Sequence, residues 1–312
     1  MRFGRLFTAA IAALLALSLF APARAGEDPR GSIAKIIRTK KLNLNISTAG
    51  EPYMFRDKNG NPTGFATDIQ KLLAKDLGAA LHVTDVDWSG LIPSMLAKKS
   101  DFIALHLSYT IERAKVVDFT EPFYALNLVA FVHTDDKAKY TDWRMLNKEG
   151  VKVAVIGGTI SEATIKTVLY KAEPVVFGND VDCFQALQAK RVDAHVNGEG
   201  LWSMIESNYP GEIFILREPN DGALASDKMA FATRPEDLFT NRFLNFWLRE
   251  NRENGKINLL VDYWFNNEDY HNDFKVNAAK GKMSKSREQL VDLLGIADYS
   301  PYFGNKYLVV ED

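Results

Sequence analysis

Between Ser108 and Tyr124 an arginine and two hydroxyls stand where an apolar strand gives way to a short helix. Thr110 is placed to cap that helix, and Arg113, three residues on, points back toward the free N–H groups of its first turn. A guanidinium is a rigid, planar fork, so it grips a carboxylate through paired charge-assisted hydrogen bonds. The chemistry on offer is capture of an anion. A surface ion pair of Arg113 with Glu112 or Asp118 is the competing use of the same side chain. Ser108 either joins the site or only ends the strand.

A second junction of the same kind follows the apolar run 151–156. There Gly157 and Gly158 turn the chain, and Gly158, Thr159 and Ile160 open a helix whose N–H groups and dipole favour a carboxylate. Thr159 and Glu162 have capping-box spacing, which ties Glu162 to its own helix end rather than to catalysis. No nucleophile is grouped with a base. The five histidines are scattered, without the spacings that ligate zinc, and the Gly157-Gly158 turn lacks both the Walker ending and a dinucleotide fingerprint. The pattern predicts a ligand-binding protein with no catalytic residue, no metal and no cofactor.

The elements that must position these groups alternate. Residues 42–46 read as a strand, 66–77 as a helix with Ile69, Leu72, Leu73 and Leu77 on one face, and 81–86 as a strand. Ser89 is placed to cap a helix through Leu96, and 101–105 is the next strand. A second series holds strands at 151–156 and 192–196 with a helix around Cys183, which fits a buried small apolar position better than a reactive thiol. Residues 228–232 read as a returning strand. Two helices follow, from Pro235 to Asn254 and from Lys256 to Phe265, with Gly255 between them. The fold class is therefore α/β, parallel in type, with two lobes and a hinge where the chain crosses twice. Lobe 1 is assigned 32–126 and 230–265, and lobe 2 is assigned 127–229. The remaining 266–312 form an extension with a helix capped by Ser286 and an aromatic stretch at 299–303. That extension either packs on one lobe or docks another protein.

Residues 1–25 have the layout of a secretory signal peptide: Arg2 and Arg5, an apolar run from Leu6 to Phe20, and a cleavage site after Ala25. The periplasm is the expected destination. The lone cysteine, Cys183, makes an internal disulfide impossible and stands far from any lipidation site. Formal net charge is -2, and loss of Arg2, Arg5 and Arg24 with the signal takes it to -5, which argues against a nucleic-acid partner.

Gly64-Phe65, the stretch 87–93, the 108–124 motif and the stretch 191–194 together resemble the bacterial periplasmic solute-binding proteins of amino-acid ABC importers. The resemblance covers about 41–265. It implies a monomeric, two-lobed receptor that closes on a small carboxylate-bearing ligand, an amino acid or derivative, and delivers it to a membrane ABC permease. It implies that Arg113 takes the α-carboxylate, with Ser108 beside it, and that Trp88 forms an apolar wall. Tyr53, with Phe55 more weakly, would line the cleft from the loop after the first strand.

Several positions depart from the family pattern. The aspartate that pairs with a ligand ammonium aligns with Gly198, flanked by Asn197 and Glu199, so Glu199 or Glu51 would have to substitute. The small residue before Leu107 is His106, which either donates to an acidic ligand or narrows the pocket. The covering aromatic aligns with Gly50. Periplasmic cyclohexadienyl dehydratases share the scaffold and the Gly-Gly-Thr turn, so an enzyme is one alternative. Their acid two residues after that threonine is Ser161 here, and Glu162 is displaced by one position. A non-transport sensor or accessory protein is the other alternative.

Overall fold

A computed structural model describes residues 28–296, except 49, 58, 217–221, 267–268 and 275–282, and the backbone of Leu308–Glu311. The signal segment 1–25 and the aromatics at 299–303 lie outside the described residues.

The first lobe opens with four strands: β1 (Lys41–Ile46), β2 (Phe55–Arg56), β3 (Pro62–Thr63) and β4 (Ala80–Asp85). β1 and β4 pair in parallel, joined through the helix Phe65–Asp76, and β2 and β3 form a small hairpin. Leu42, Leu44 and Ile46 alternate inward against Ile69, Leu72 and Leu73, all essentially fully buried. Each such aliphatic side chain contributes about 1.5–3 kcal/mol. β5 (Ile103–Ser108) joins β1 through a single parallel bridge, Leu44 to Phe102.

After β6 (Asp118–Phe119) comes the long β7 (Tyr124–His133), then β8 (Lys152–Ile156), β9 (Glu173–Phe177), β10 (Ala194–Gly198), β11 (Ile213–Leu216) and β12 (Ala225–Thr233). β7 and β12 are antiparallel from Tyr124↔Met229 to Leu128↔Ala225. Beyond that register β12 continues onto β5, while β7 continues onto β10 and β11. Two strands thus carry the chain between the lobes. Along β7, Val129 and Phe131 face the larger core, and Leu128, Ala130 and Val132 face a second core, the period of two expected of a strand buried on both sides.

The sheet is mixed rather than simply parallel. β8 pairs in parallel with β9 and β10, but β7 is antiparallel to each of its partners. The two passing strands run in opposite directions, which forces this.

Three expected helix starts differ. Ser89 falls inside a 3-10 turn, Trp88–Gly90, that precedes the helix Leu91–Leu96, so its side chain caps nothing there. Pro235 lies in a turn, and the helix Leu238–Glu253 starts after Asp237, whose carboxylate is drawn to Ser32 and Arg234. In the extension, Ser284 caps the helix Lys285–Leu294 by accepting from Arg287 N at 3.1 Å, while Ser286 donates to Asp269. Gly255 does separate its two helices, at φ 80°.

The extension is fixed to the first lobe by a buried ion pair. Both prongs of Arg287, fully buried, reach the Asp68 carboxylate, which also accepts from Lys71 and Trp264. The guanidinium lies over Tyr263, Trp264 and Phe274. Burial penalises the Asp68 charge, but Arg287 and Lys71 outweigh it and hold the carboxyl down at about 2. β13 (Leu308–Glu311) adds in parallel to β4.

Candidate functional site

A cavity opens where the lobes meet at the paired crossing strands. Gly50, Tyr53, Trp88, His106 and Ser108 line it from the first lobe, and Ile156, Thr159, Ile160, Ser161, Asp180, Asn197 and Gly198 from the second. Asp227 and Met229 complete it from β12. The cavity has a volume of about 70 Å³.

One wall is aromatic. His106, carried inward near the end of β5, stacks on Tyr53 with ring centroids 4.6 Å apart and lies 5.0 Å from the Trp88 ring. Burial, helped by the Arg113 charge, pushes the imidazole down to about 3, so His106 is neutral at pH 7. The buried Tyr53 hydroxyl, Trp88 Nε1 and His106 Nδ1 have no hydrogen-bond partner.

The lining also holds two carboxylates that sequence reasoning missed. Asp227 is 7% exposed; its Oδ2 accepts from Ser108 Oγ at 3.1 Å, and its Oδ1 is buried with no partner. Burial pushes it up to about 6, against the pull of the Ser108 bond and the Arg113 charge. A charged residue inside the apolar strand Ala225–Thr233 was the available signal, since buried carboxylates are rare without a purpose. Asp180, at the start of the helix Asp180–Gln188, accepts from Asn197 Nδ2 at 2.7 Å and faces His195 Nε2 at 3.1 Å. His195 Nδ1 faces the Ala154 carbonyl at 3.0 Å, so both ring nitrogens meet acceptors and the ring holds two protons. Burial opposes that charge, but Cys183 and Asp180 raise the pKa of His195.

Arg113 stands at the junction of the lobes without lining the cavity. Thr110 caps its helix, accepting from Arg113 N at 3.3 Å. The guanidinium donates to the Ser108 carbonyl at 2.9 Å and, across the cleft, to the Gly158 carbonyl at 3.0 Å. Glu112, the expected competitor for it, pairs with Lys115. In the second lobe the capping box is not formed. Thr159 Oγ1 donates back to the Ile156 carbonyl, while Glu162 accepts from Gly158 N and Lys166, outside the cavity. Ile160 and Ser161, in the first turn of the helix Ile160–Val168, line the cavity. Glu51, Gly158 and Glu199 are not lining residues; Glu199 accepts from Asn127 N at 3.2 Å. Among the described residues no cluster of three or more His, Cys, Asp or Glu could hold a metal.

The model of the bacterial extracellular solute-binding proteins, family 3, matches residues 42–267. The chain belongs to that family. Among curated members of similar sequence, the arginine-binding extracellular protein ArtP of Bacillus subtilis (strain 168) is 27% identical over 73% of this chain and 88% of its own. Cyclohexadienyl dehydratase of Pseudomonas aeruginosa is 23% identical over 71% of this chain and 82% of its own. Of solved structures, the ancestral amino acid-binding protein AncCDT-1, a precursor of cyclohexadienyl dehydratase, superposes with TM-score 0.68 at 30% identity, covering 75% of this chain and 99% of its own. Holo ArgBP from T. maritima gives 0.64 at 31% identity, covering 74% and 99%. The fold is that of the type II periplasmic binding proteins, two α/β lobes joined by two hinge crossings.

Two glycines of the cavity face side chains of the opposite lobe too closely for a Cβ to be added without movement. A Cβ on Gly198 would lie 2.6 Å from the Tyr53 hydroxyl, and a Cβ on Gly50 would lie 2.5 Å from Asp180 Oδ2. Each lobe fills the space that a side chain on the other would need.

Proposed function

We propose that this family-3 solute-binding protein is the periplasmic receptor of an ABC importer and closes on a small amino acid or amino-acid derivative. The observation that carries this reading is the cavity between the lobes, lined by residues with four buried polar atoms that lack partners: Tyr53 Oη, Trp88 Nε1, His106 Nδ1 and Asp227 Oδ1. Each such orphan costs about 1–3 kcal/mol, a cost that a polar guest removes. The lobes, 32–126 with 230–265 and 127–229, part and close about the β7–β12 pair. The ligand carboxylate draws Arg113 from the Gly158 carbonyl and meets the N–H groups at Ile160. Closure goes only as far as the ligand's extra contacts in the closed state carry it. Export through cleavage near Ala25, a monomeric mature chain and delivery to a membrane permease complete the reading.

A thermal-shift panel of the twenty standard amino acids, with hits titrated calorimetrically, tests it. At least one amino acid should raise the melting temperature and bind with unit stoichiometry. No shift from any of them, or from their N-methyl, N-acetyl and amide derivatives, at millimolar concentration would refute it.

One observation favours a second reading, a cyclohexadienyl-dehydratase-like enzyme: Asp227, held at about 6, can give or take a proton near neutral pH inside the cavity. Incubation with prephenate separates the two, since the receptor leaves it unchanged and the enzyme releases phenylpyruvate.

A further inference from the structure

We propose that Asp227 receives the ligand's ammonium group, a role that the crossing strand takes over from the second lobe. The inference rests on the amino-acid reading of the cavity and specifies how such a ligand is told from other small acids.

The Asp227 carboxylate enters from β12, is 7% exposed, and uses only one oxygen, Oδ2, which accepts from Ser108 Oγ. The other oxygen, Oδ1, is buried beside the cavity with no donor. A desolvated carboxylate oxygen demands a donor, and a charged one repays its burial best. The lining supplies no charged donor. It contains no lysine or arginine, and His106 is neutral. Arg113 spends its prongs on the carbonyls of Ser108 and Gly158.

Asp180, the other carboxylate in the lining, differs in kind. His195 and Asn197 already engage its Oδ1, and the doubly protonated His195 offsets its charge. Asp227 is the carboxylate whose charge the lining leaves open. The donor it lacks must arrive with the guest, and an ammonium group supplies both the protons and the charge.

Geometry also closes the alternative position. Gly198 stands where a second-lobe acid would otherwise project, but the Tyr53 hydroxyl occupies that space, 2.6 Å from where a Cβ would begin. An acid rooted at 198 would require Tyr53 to move, whereas Asp227 reaches the same cavity from the strand between the lobes with no such displacement. The orphaned Tyr53 Oη and Trp88 Nε1 are donors, suited to the ligand's oxygens rather than its nitrogen. The cavity therefore reads a molecule that carries both a cationic nitrogen and hydrogen-bond acceptors.

The test titrates the twenty standard amino acids singly into the full mature chain and, for each that binds, the same compound with hydrogen in place of the α-ammonium. The wild type should bind the deaminated compound at least a hundredfold more weakly. Asp227→Asn should lose at least a hundredfold for the amino acid and bind the two compounds within about threefold of each other, with Asp227→Glu recovering part of the loss. Asparagine preserves the acceptor for Ser108, and an unchanged or raised melting temperature of the unliganded variant shows that it folds. Amino-acid affinity within threefold of wild type in Asp227→Asn, or equal wild-type affinity for the two compounds, overturns this inference and leaves the receptor reading standing. A wild type inert to all twenty and to their N-methyl, N-acetyl and amide derivatives overturns both.

Discussion

The Tyr53 hydroxyl of the first lobe stands where a side chain at Gly198 of the second would begin, 2.6 Å from the position of its Cβ. The residues are coupled by volume, and the next obstruction, Leu126 Cδ1, is at 3.4 Å. Gly198→Ala alone should destabilise the closed form by about 1–3 kcal/mol, as overpacking does. In a Tyr53→Phe background, which removes only the hydroxyl, the same change should cost less than about 1 kcal/mol. Ligand affinities of the four proteins in a double-mutant cycle measure this, and strict additivity would refute the coupling.

Asp227 makes stability depend on pH. Burial raises its pKa from the ordinary 3.8 to about 6, so the folded chain binds the proton more tightly than the unfolded chain. The charge therefore costs stability in full above about pH 6, and the cost fades as pH falls toward 4. Asp227→Asn, free of this charge, should be more stable than wild type by about 2–3 kcal/mol at pH 7.5. The advantage should shrink to near zero at pH 4. Urea denaturation of unliganded protein at both pH values checks it, and a pH-independent difference would contradict it.

Arg113 ties the lobes through the Gly158 carbonyl and is also the expected carboxylate receiver. Arg113→Lys keeps the charge but loses the fork, so amino-acid affinity should fall by more than about tenfold. Small-angle scattering of the unliganded variant should show a larger radius of gyration than wild type, because the bridge to Gly158 is weakened. An unchanged dissociation constant would remove the carboxylate role, and an unchanged radius would remove the latch.

The extension beyond the family match should prove integral. Arg287→Ala strands the buried Asp68 carboxylate with Lys71 and Trp264 as partners. Loss of one member of a buried pair costs about 3–5 kcal/mol, so chemical denaturation should show a drop of that order. A drop below about 1 kcal/mol would mean that the helix Lys285–Leu294 is merely appended.

Much of the frame was legible in the residues because it rests on local periodicity. The alternating Leu42, Leu44 and Ile46, the helical face of Ile69, Leu72 and Leu73, the Thr110 cap and the Gly255 break are short-range patterns, and each holds. Ser89 and Pro235 misled because neighbouring turns displace the helix starts. The site divides the same way. Trp88, Tyr53, His106, Ser108, Thr159, Ile160 and Asn197, singled out from type and position, all line the cavity, whereas Glu51 and Glu199 do not. Asp180 and Asp227 escaped notice because only the meeting of the lobes brings them together. The partner of Arg113 across the cleft is a backbone carbonyl, which no residue type announces.

A crystal structure of the chain with its tightest-binding amino acid tests the central claim most directly. The account predicts the ligand enclosed between the Trp88–Tyr53 wall and the Ile160 helix end, its nitrogen within hydrogen-bonding distance of Asp227 Oδ1 and its carboxylate held by Arg113. A ligand bound outside this cavity, or inside it with its nitrogen turned away from Asp227, would contradict the account.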